Sequence, residues 1–162
     1  MVTSTKELTG LGGLHRKMTN LDIFLIDYEV VKVNPNWRLD ILEIFLKPGL
    51  RVKASIDRNQ TDILEKLSTY YNDLKIAKEK NQIYFEGILN REMIKDFKES
   101  YKVKNDDGMD YYSPFIRLEI GDNYCSAHNG RELYLTGLSE VELGDVLKVL
   151  NPLREYFKID IS

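Results

Sequence analysis

The segment from residue 115 to 138 constrains the fold more than any other part of the chain. Apolar and polar side chains alternate over Phe115–Ile120, which is the pattern of a strand with one buried face. Asn129-Gly130 then separates two further extended runs and predicts a two-residue hairpin loop, because both turn residues must adopt positive φ. Such a loop fixes the register and sets Ser126 opposite Leu133. We therefore expect a three-stranded antiparallel meander.

A helix with complete start signals follows the meander. Ser139 and Glu142 have the spacing of a capping box, in which each side chain binds the backbone N–H of the other residue. Apolar side chains recur at helical spacing from Leu143 to Leu150, and Asn151-Pro152 interrupts the pattern because proline has no N–H to donate. A last short strand is expected at Ile159–Ile161.

The middle of the chain alternates between helical and extended patterns. Ile63–Ala77 carries apolar residues at helical spacing and predicts an amphipathic helix. Ile83–Phe85 predicts a short strand. Met93–Tyr101 predicts another helix, with Asn90 as its N-cap.

The N-terminal part is less clearly patterned. Leu21–Val33 predicts a strand. Pro48 and Gly49 stand at the positions that a type II turn requires, so the turn would join Leu39–Leu46 to an alternating strand at Leu50–Ile56. Leu39–Leu46 also fits a helical period, and the sequence leaves both interpretations open.

These elements predict an α+β fold. We expect a mixed or antiparallel sheet, or sheets, with three main helices packed on one face and the C-terminal meander followed by the capped helix. Residues 83–97 resemble residues 133–147, which suggests a duplicated β-β-β-α unit, although any strand–turn–helix can produce such a likeness by chance. A chain of 162 residues predicts one domain over 1–162, with a subdomain boundary near the Asp-rich residues 103–112.

Composition narrows the classes of protein to which the chain can belong. A net charge of −3, with the acidic excess in the C-terminal third, excludes a protein that coats nucleic acid over its whole surface. The single cysteine, Cys125, excludes an internal disulfide. The longest apolar runs are far shorter than the roughly 20 residues of a membrane-spanning helix. We expect a soluble cytoplasmic protein that does not bind membranes.

No motif predicts catalysis, a metal or a cofactor. Cys125 and His128 are three residues apart, so a regular strand would direct them to opposite faces. The glycines near residue 12 lack the spacing of a phosphate-binding loop, and no serine stands in a nucleophile elbow. The sequence therefore assigns no catalytic residue and no metal ligand.

Binding to another protein is the function that the sequence favours. Tyrosine and tryptophan are enriched at interaction hot spots. At the hairpin tip, His128 and Arg131 would lie opposite each other. The candidate protein-binding residues are Trp37, Tyr111, Tyr112, His128 and Arg131. We expect a small non-catalytic regulator, adaptor or inhibitor whose partner is another protein, and the sequence leaves a homo-oligomer open.

Two alternatives belong to other functional classes. A basic hairpin around residues 47–58 would bind nucleic acid through the side chains of Lys47, Arg51, Lys53 and Arg58. A small enzyme is the second alternative, because catalytic side chains can converge from distant parts of a sequence.

Overall fold

In the part of the chain that the structure describes, the fold is mixed α+β, with one eight-stranded antiparallel sheet, four α-helices whose bounds are defined and one 3-10 helix. The computed structural model describes residues 18–60, 63, 65–66, 69, 74–101 and 113–162, and all structural statements refer to these. The strands are β1 Thr19–Leu25, β2 Arg51–Asp57, β3 Leu74–Lys78, β4 Gln82–Ile88, β5 Phe115–Ile120, β6 Tyr124–Ala127, β7 Glu132–Leu138 and β8 Phe157–Ile161. The α-helices are α1 Val30–Val33, α2 Trp37–Phe45, α3 Arg91–Tyr101 and α4 Glu140–Leu150, and a 3-10 helix spans Asn151–Tyr156.

The strands lie in the order β3-β4-β2-β5-β6-β7-β1-β8. The first three strands come from residues 51–88, and the last five come from residues 19–25 and 115–161. The two groups meet where β2 pairs with β5. Val52 lies opposite Ile120 there, and Ala54 opposite Leu118. This pairing makes one continuous sheet from the two groups.

The predicted meander is confirmed. β5, β6 and β7 pair consecutively, and Ser126 lies opposite Leu133 as the two-residue loop requires. His128 and Asn129 have φ of 52° and 57°, and Gly130 has φ of 79°. Three residues of the turn therefore have positive φ, whereas the Asn-Gly pair predicts two.

The predicted helix caps are also confirmed. Ser139 Oγ accepts a hydrogen bond from the N–H of Glu142 at 3.2 Å, and Glu142 Oε1 accepts one from the N–H of Ser139 at 2.9 Å. Asn90 Oδ1 accepts from the N–H of Met93 at 2.9 Å. Pro152 turns the end of α4 into the 3-10 helix, after which the chain forms β8.

The strand predicted at Leu21–Val33 is too long. β1 ends at Leu25, and the chain then turns where Asp27 Oδ1 accepts a hydrogen bond from the N–H of Glu29. Val30 and Val31 are adjacent and both buried, which a half-covered strand does not permit but a helical turn does. This segment is therefore the one-turn helix α1.

The strand interpretation of Leu39–Leu46 is wrong, and the helical alternative is correct. Ile41, Leu42 and Phe45 are buried at the spacing of one helix face. The Pro-Gly turn is present, with φ of 91° at Gly49, but it joins α2 to β2. The basic segment 47–58 is consequently a helix–turn–strand connection and not a hairpin.

The helix predicted over Ile63–Ala77 is wrong at its C-terminal end. Residues 74–78 form the edge strand β3, where Ala77 lies opposite Tyr84 of β4. Backbone pairing with β4 overrides the helical spacing of the side chains. Ile63 is helical, and most of the predicted helix lies outside the described residues.

Aromatic contacts join helices to one face of the sheet. Phe45 of α2 lies with its ring centroid 5.5 Å from that of Tyr124, and Phe97 of α3 is 5.4 Å from Phe115. Trp37 packs edge-on against Phe157 at 4.8 Å. Each of the three sheet residues belongs to the buried set of its strand. The core therefore lies between the helices and this face.

The proposed duplication is supported only locally. β4 is followed by α3 and β7 by α4, as the sequence likeness predicts. The strand orders of the two units differ, however. The third strand of the first unit, β4, lies between β3 and β2, whereas the third strand of the second unit, β7, does not lie between β5 and β6. The duplication stays a prediction, and the subdomain boundary predicted near 103–112 falls outside the described residues.

The tip of the β6–β7 hairpin is held against the rest of the molecule. The N–H of Asn129 donates to the carbonyl oxygen of Ile116 at 3.1 Å, and the N–H of Ser113 donates to the carbonyl oxygen of Asn129 at 2.6 Å. Arg38 Nε donates to the carbonyl oxygen of Gly130 at 3.0 Å. A Cβ atom on Gly130 would lie 2.6 Å from Arg38 Nε and 2.7 Å from Ser113 Cβ. The turn therefore requires glycine both for its φ and for this close approach.

We expect Gly130→Ala to lower the free energy of unfolding by about 2–4 kcal/mol, because left-handed strain and overpacking add together. Gly49→Ala is the matched control, since Gly49 also has positive φ but has nothing within 4 Å of its added Cβ. Its loss should be about 1 kcal/mol. Urea unfolding measures the free energy of unfolding of both variants. An equal decrease in the two variants would contradict the packing argument.

Candidate functional site

One face of the sheet is populated by polar and exposed side chains. In β2, for example, Val52, Ala54 and Ile56 point to the core, so Arg51 and Lys53 point to the opposite side. We call this opposite side the open face. It is the place where side chains of the eight strands can meet a ligand.

A row of alternating charge crosses four strands of the open face. Lys75 of β3 lies opposite Glu86 of β4, Glu86 lies opposite Lys53 of β2, and Lys53 lies opposite Glu119 of β5. We call these four residues the charge row. Opposite charges on adjacent strands stabilise a sheet by about 0.2–1 kcal/mol per pair, so the row is compatible with the observed register.

A groove of about 400 Å³ lies along the charge row. It is bounded by residues of β3, β4, β2 and β5, and these are Lys53, Ala54, Ser55, Lys75, Ala77, Tyr84, Phe85, Glu86, Arg117 and Glu119. Small side chains at Ala77 and Ser55 stand on either side of the larger Tyr84. The groove therefore exists because two small side chains flank a large aromatic side chain on this face of the sheet.

Polar groups of the groove differ in their exposure. Ser55 is only 4% exposed although it belongs to the open face, whereas Tyr84 is 41% exposed. Arg117 Nε donates to Glu119 Oε2 at 2.9 Å, and this hydrogen bond raises the pKa of Arg117. The guanidinium therefore stays charged and is positioned by Glu119 at the wall of the groove.

Cys125 lies next to the groove and is not activated. Burial raises the pKa of its thiol, although the nearby Arg117 charge opposes this shift. The thiolate is the nucleophilic form of cysteine, so a raised pKa disfavours nucleophilic chemistry. The ten residues that line the groove include no histidine or cysteine. Their polar groups belong to lysine, arginine, glutamate, serine and tyrosine side chains, which can form hydrogen bonds with a ligand.

A second polar cluster lies on β7. The Tyr134 hydroxyl donates to the carboxylate of Glu132, and this bond raises the pKa of Tyr134 to about 12. His128 Nε2 is 3.5 Å from the other oxygen of Glu132. Glu132 thus contacts both groups.

Among the described residues, the sequence-predicted protein-binding residues do not all lie together. Trp37 is 1% exposed and packs in the core, so the expectation that it is an exposed contact residue is wrong. Tyr111 and Tyr112 lie outside the described residues. Arg131 Nε donates to the carbonyl oxygen of His128 at 3.1 Å, so the hairpin tip brings this pair together as expected.

The sequence-predicted nucleic-acid residues are spread along the connection from α2 to β3. Arg51 and Lys53 share the open face, where Arg51 lies opposite Ile88. Lys47 belongs to the turn before β2. Arg58 follows β2, and its Nη1 donates to the carbonyl oxygen of Lys80.

Sequence reasoning missed most of the groove. Arg117 and Glu119 are the polar positions of a correctly predicted strand, so alternation alone could have placed them on an open face. Tyr84 lies in a strand that was predicted too short. Lys75 was assigned to a helix, so its place beside Glu86 depended on pairing between strands that no local pattern reveals.

We expect Glu132→Gln to lower the pKa of Tyr134 from about 12 toward the usual value near 10, because the neutral amide removes the negative charge that favours the protonated phenol. Burial and the nearby charge of Asp22 also raise this pKa and keep it somewhat above 10. The raised pKa stabilises the folded state fully below about pH 10, and this contribution disappears as the pH rises to about 12. Glu132→Gln should therefore weaken this alkaline loss of stability.

Titration of the tyrosine ¹³Cζ signals by NMR measures this pKa, and Tyr134→Phe identifies the relevant signal. An unchanged Tyr134 pKa in Glu132→Gln would contradict the assigned cause.

Comparisons place no known protein beside this chain: no protein-family model, no curated protein and no solved structure matches it. Within the described residues, no three His, Cys, Asp or Glu side chains are grouped as metal ligands. In the same part of the chain, no helix has both the length and the apolar character needed to cross a membrane.

Proposed function

We propose that this protein is a non-catalytic interaction protein, a regulator, adaptor or inhibitor, which binds a partner protein on the open face. The observation that carries the proposal is the groove along the charge row. It combines an exposed aromatic ring, an oriented arginine and charges of both signs in one site. These are features of protein-binding surfaces, where tyrosine and arginine are the usual anchors.

The geometry of the charge row favours a helical partner segment. Neighbouring strands are about 4.8 Å apart. Side chains three or four residues apart on a helix advance by about 4.5 or 6 Å, so a helix laid across the strands meets each strand in turn. The complementary helix carries an acid opposite Lys75, a base opposite Glu86 and an acid opposite Lys53.

The groove supplies an apolar contact for the same helix. Tyr84 stands beside Ala77 on β3 and Ser55 on β2, where an apolar side chain of the partner can enter. Burial of apolar surface favours association, whereas exposed ion pairs add little. We therefore assign affinity to the groove and orientation to the charge row.

The alternative functions have weaker support. Lys53 is flanked by Glu86 and Glu119 on its two neighbouring strands, and these carboxylates oppose the approach of a phosphate backbone. For an enzyme, the groove lining lacks histidine, the most common general acid or base, and cysteine, although enzymes also use the glutamate, lysine, serine and tyrosine side chains that it contains. A protein partner is consistent with all of these residues.

Quantitative capture from a native lysate tests the proposal. The wild-type chain should retain a protein that both Tyr84→Ala and Lys53→Glu bind at least about tenfold more weakly, since the first removes the anchor and the second reverses a charge in the row. Lys148→Glu is the matched control, because it makes the same charge change on the exposed side of α4. It should bind like the wild type.

Two results would overturn the proposal. One is a captured protein that binds all three variants equally well, which would place its contact elsewhere. The other is loss of the captured material after nuclease treatment, which would favour the nucleic-acid alternative.

A further inference from the structure

The far edge of the sheet from the groove is formed by β8. Among the described residues, β8 pairs with β1 and with no second strand. Asn20 and Ser162 exchange two backbone hydrogen bonds, at 2.9 and 3.0 Å. Because hydrogen-bonded and non-hydrogen-bonded pairs alternate in antiparallel strands, the backbone groups of Ile159 and Ile161 point away from β1. They are oriented to pair with another strand.

We propose that a second copy of this chain pairs with β8 antiparallel to it, about a two-fold axis at Ile159, so that the sheets of the two copies become continuous. This surface is separate from the groove, and the proposal goes beyond the function argued above. The occupant is identified by the charges on the strand and by the apolar side chains beside them.

The charges select one of the three registers whose axis lies at a central residue of β8, Lys158, Ile159 or Asp160. An axis at Lys158 would set the two Lys158 side chains opposite each other, and an axis at Asp160 would do the same for the two acids. Like charges directly opposite each other destabilise a strand pair. With the axis at Ile159, Lys158 of each copy lies opposite Asp160 of the other. These positions are non-hydrogen-bonded pairs, in which side chains approach most closely.

Both charged groups are accessible for this exchange. Lys158 Nζ lies 3.9 Å from Asp160 Oδ2 of its own chain, and the two side chains are 67% and 56% exposed. Such an exposed pair stabilises the monomer very little. Replacing it by two pairs between copies therefore sacrifices little within each chain.

Apolar side chains on the other side of β8 favour the same arrangement. Ile161 is 58% exposed, and Ile159 is only partly buried, although both lie on the core side of the strand. In the proposed register Ile161 lies opposite Phe157 of the second copy. The pairing would cover the exposed isoleucine with apolar surface. The opposite edge strand, β3, contains Lys75 and Lys78 but no acid, so it cannot form the same reciprocal pairs.

The test measures self-association by sedimentation velocity and light scattering at concentrations up to about 500 μM, which detects even weak dimers. The wild type should form a dimer whose population rises with concentration. Lys158→Asp and Asp160→Lys should each raise its dissociation constant by about tenfold or more, because each sets like charges opposite each other twice. The double variant should dimerise like the wild type.

Mixing the two single variants gives the sharpest result. One chain then carries two acids on β8 and the other carries two bases, so the mixture should form a heterodimer although neither variant self-associates well. Lys148→Asp, the matched charge change on α4, should dimerise like the wild type. Circular dichroism and thermal unfolding check that every variant is folded.

Two outcomes would overturn the proposal. A wild type that stays monomeric over the whole concentration range would show that the edge does not pair. A dimer that is equally stable in Lys158→Asp, Asp160→Lys and the double variant would show that another surface is used.

Discussion

The pairing of β2 with β5 is the interaction on which the rest of the structure depends. It joins β3, β4 and β2 to the other five strands, and its register sets Lys53 beside Glu119. A shift by one residue would turn every side chain of β2 to the other face and expose Val52 and Ile56. The buried side chains therefore determine the register, and the register in turn determines the charge row.

Local patterns predicted the elements whose signals lie close together in sequence. The Asn-Gly loop, the capping box at Ser139 and the cap at Asn90 were all correct, because the groups that bind each other are two or three residues apart. The meander register followed from loop length alone. Such features depend little on the rest of the molecule.

The errors occurred where distant pairing decides the structure. Leu74–Lys78 has helical spacing but forms a strand because β4 supplies its hydrogen bonds. Trp37 follows the turn-forming residues Asn34-Pro35-Asn36 in sequence, yet it packs against Phe157, 120 positions further along the chain. Most of the groove was missed for the same reason. The position of β4 between β3 and β2 brings Tyr84 and Glu86 to their neighbours, and no short segment encodes it.

The two proposed surfaces use opposite charges in the same way. In the charge row and on β8, lysines and acids already lie near each other within the chain, and exposed pairs of this kind contribute at most about 1 kcal/mol. A partner can therefore replace them at little free-energy cost, but it gains little from them. Mismatched charges, in contrast, repel a wrong register or a wrong partner. Affinity must then come from the apolar residues beside the charges, Tyr84 in the groove and Ile161 at the edge. The charges determine which partner, and which strand register, can form these apolar contacts.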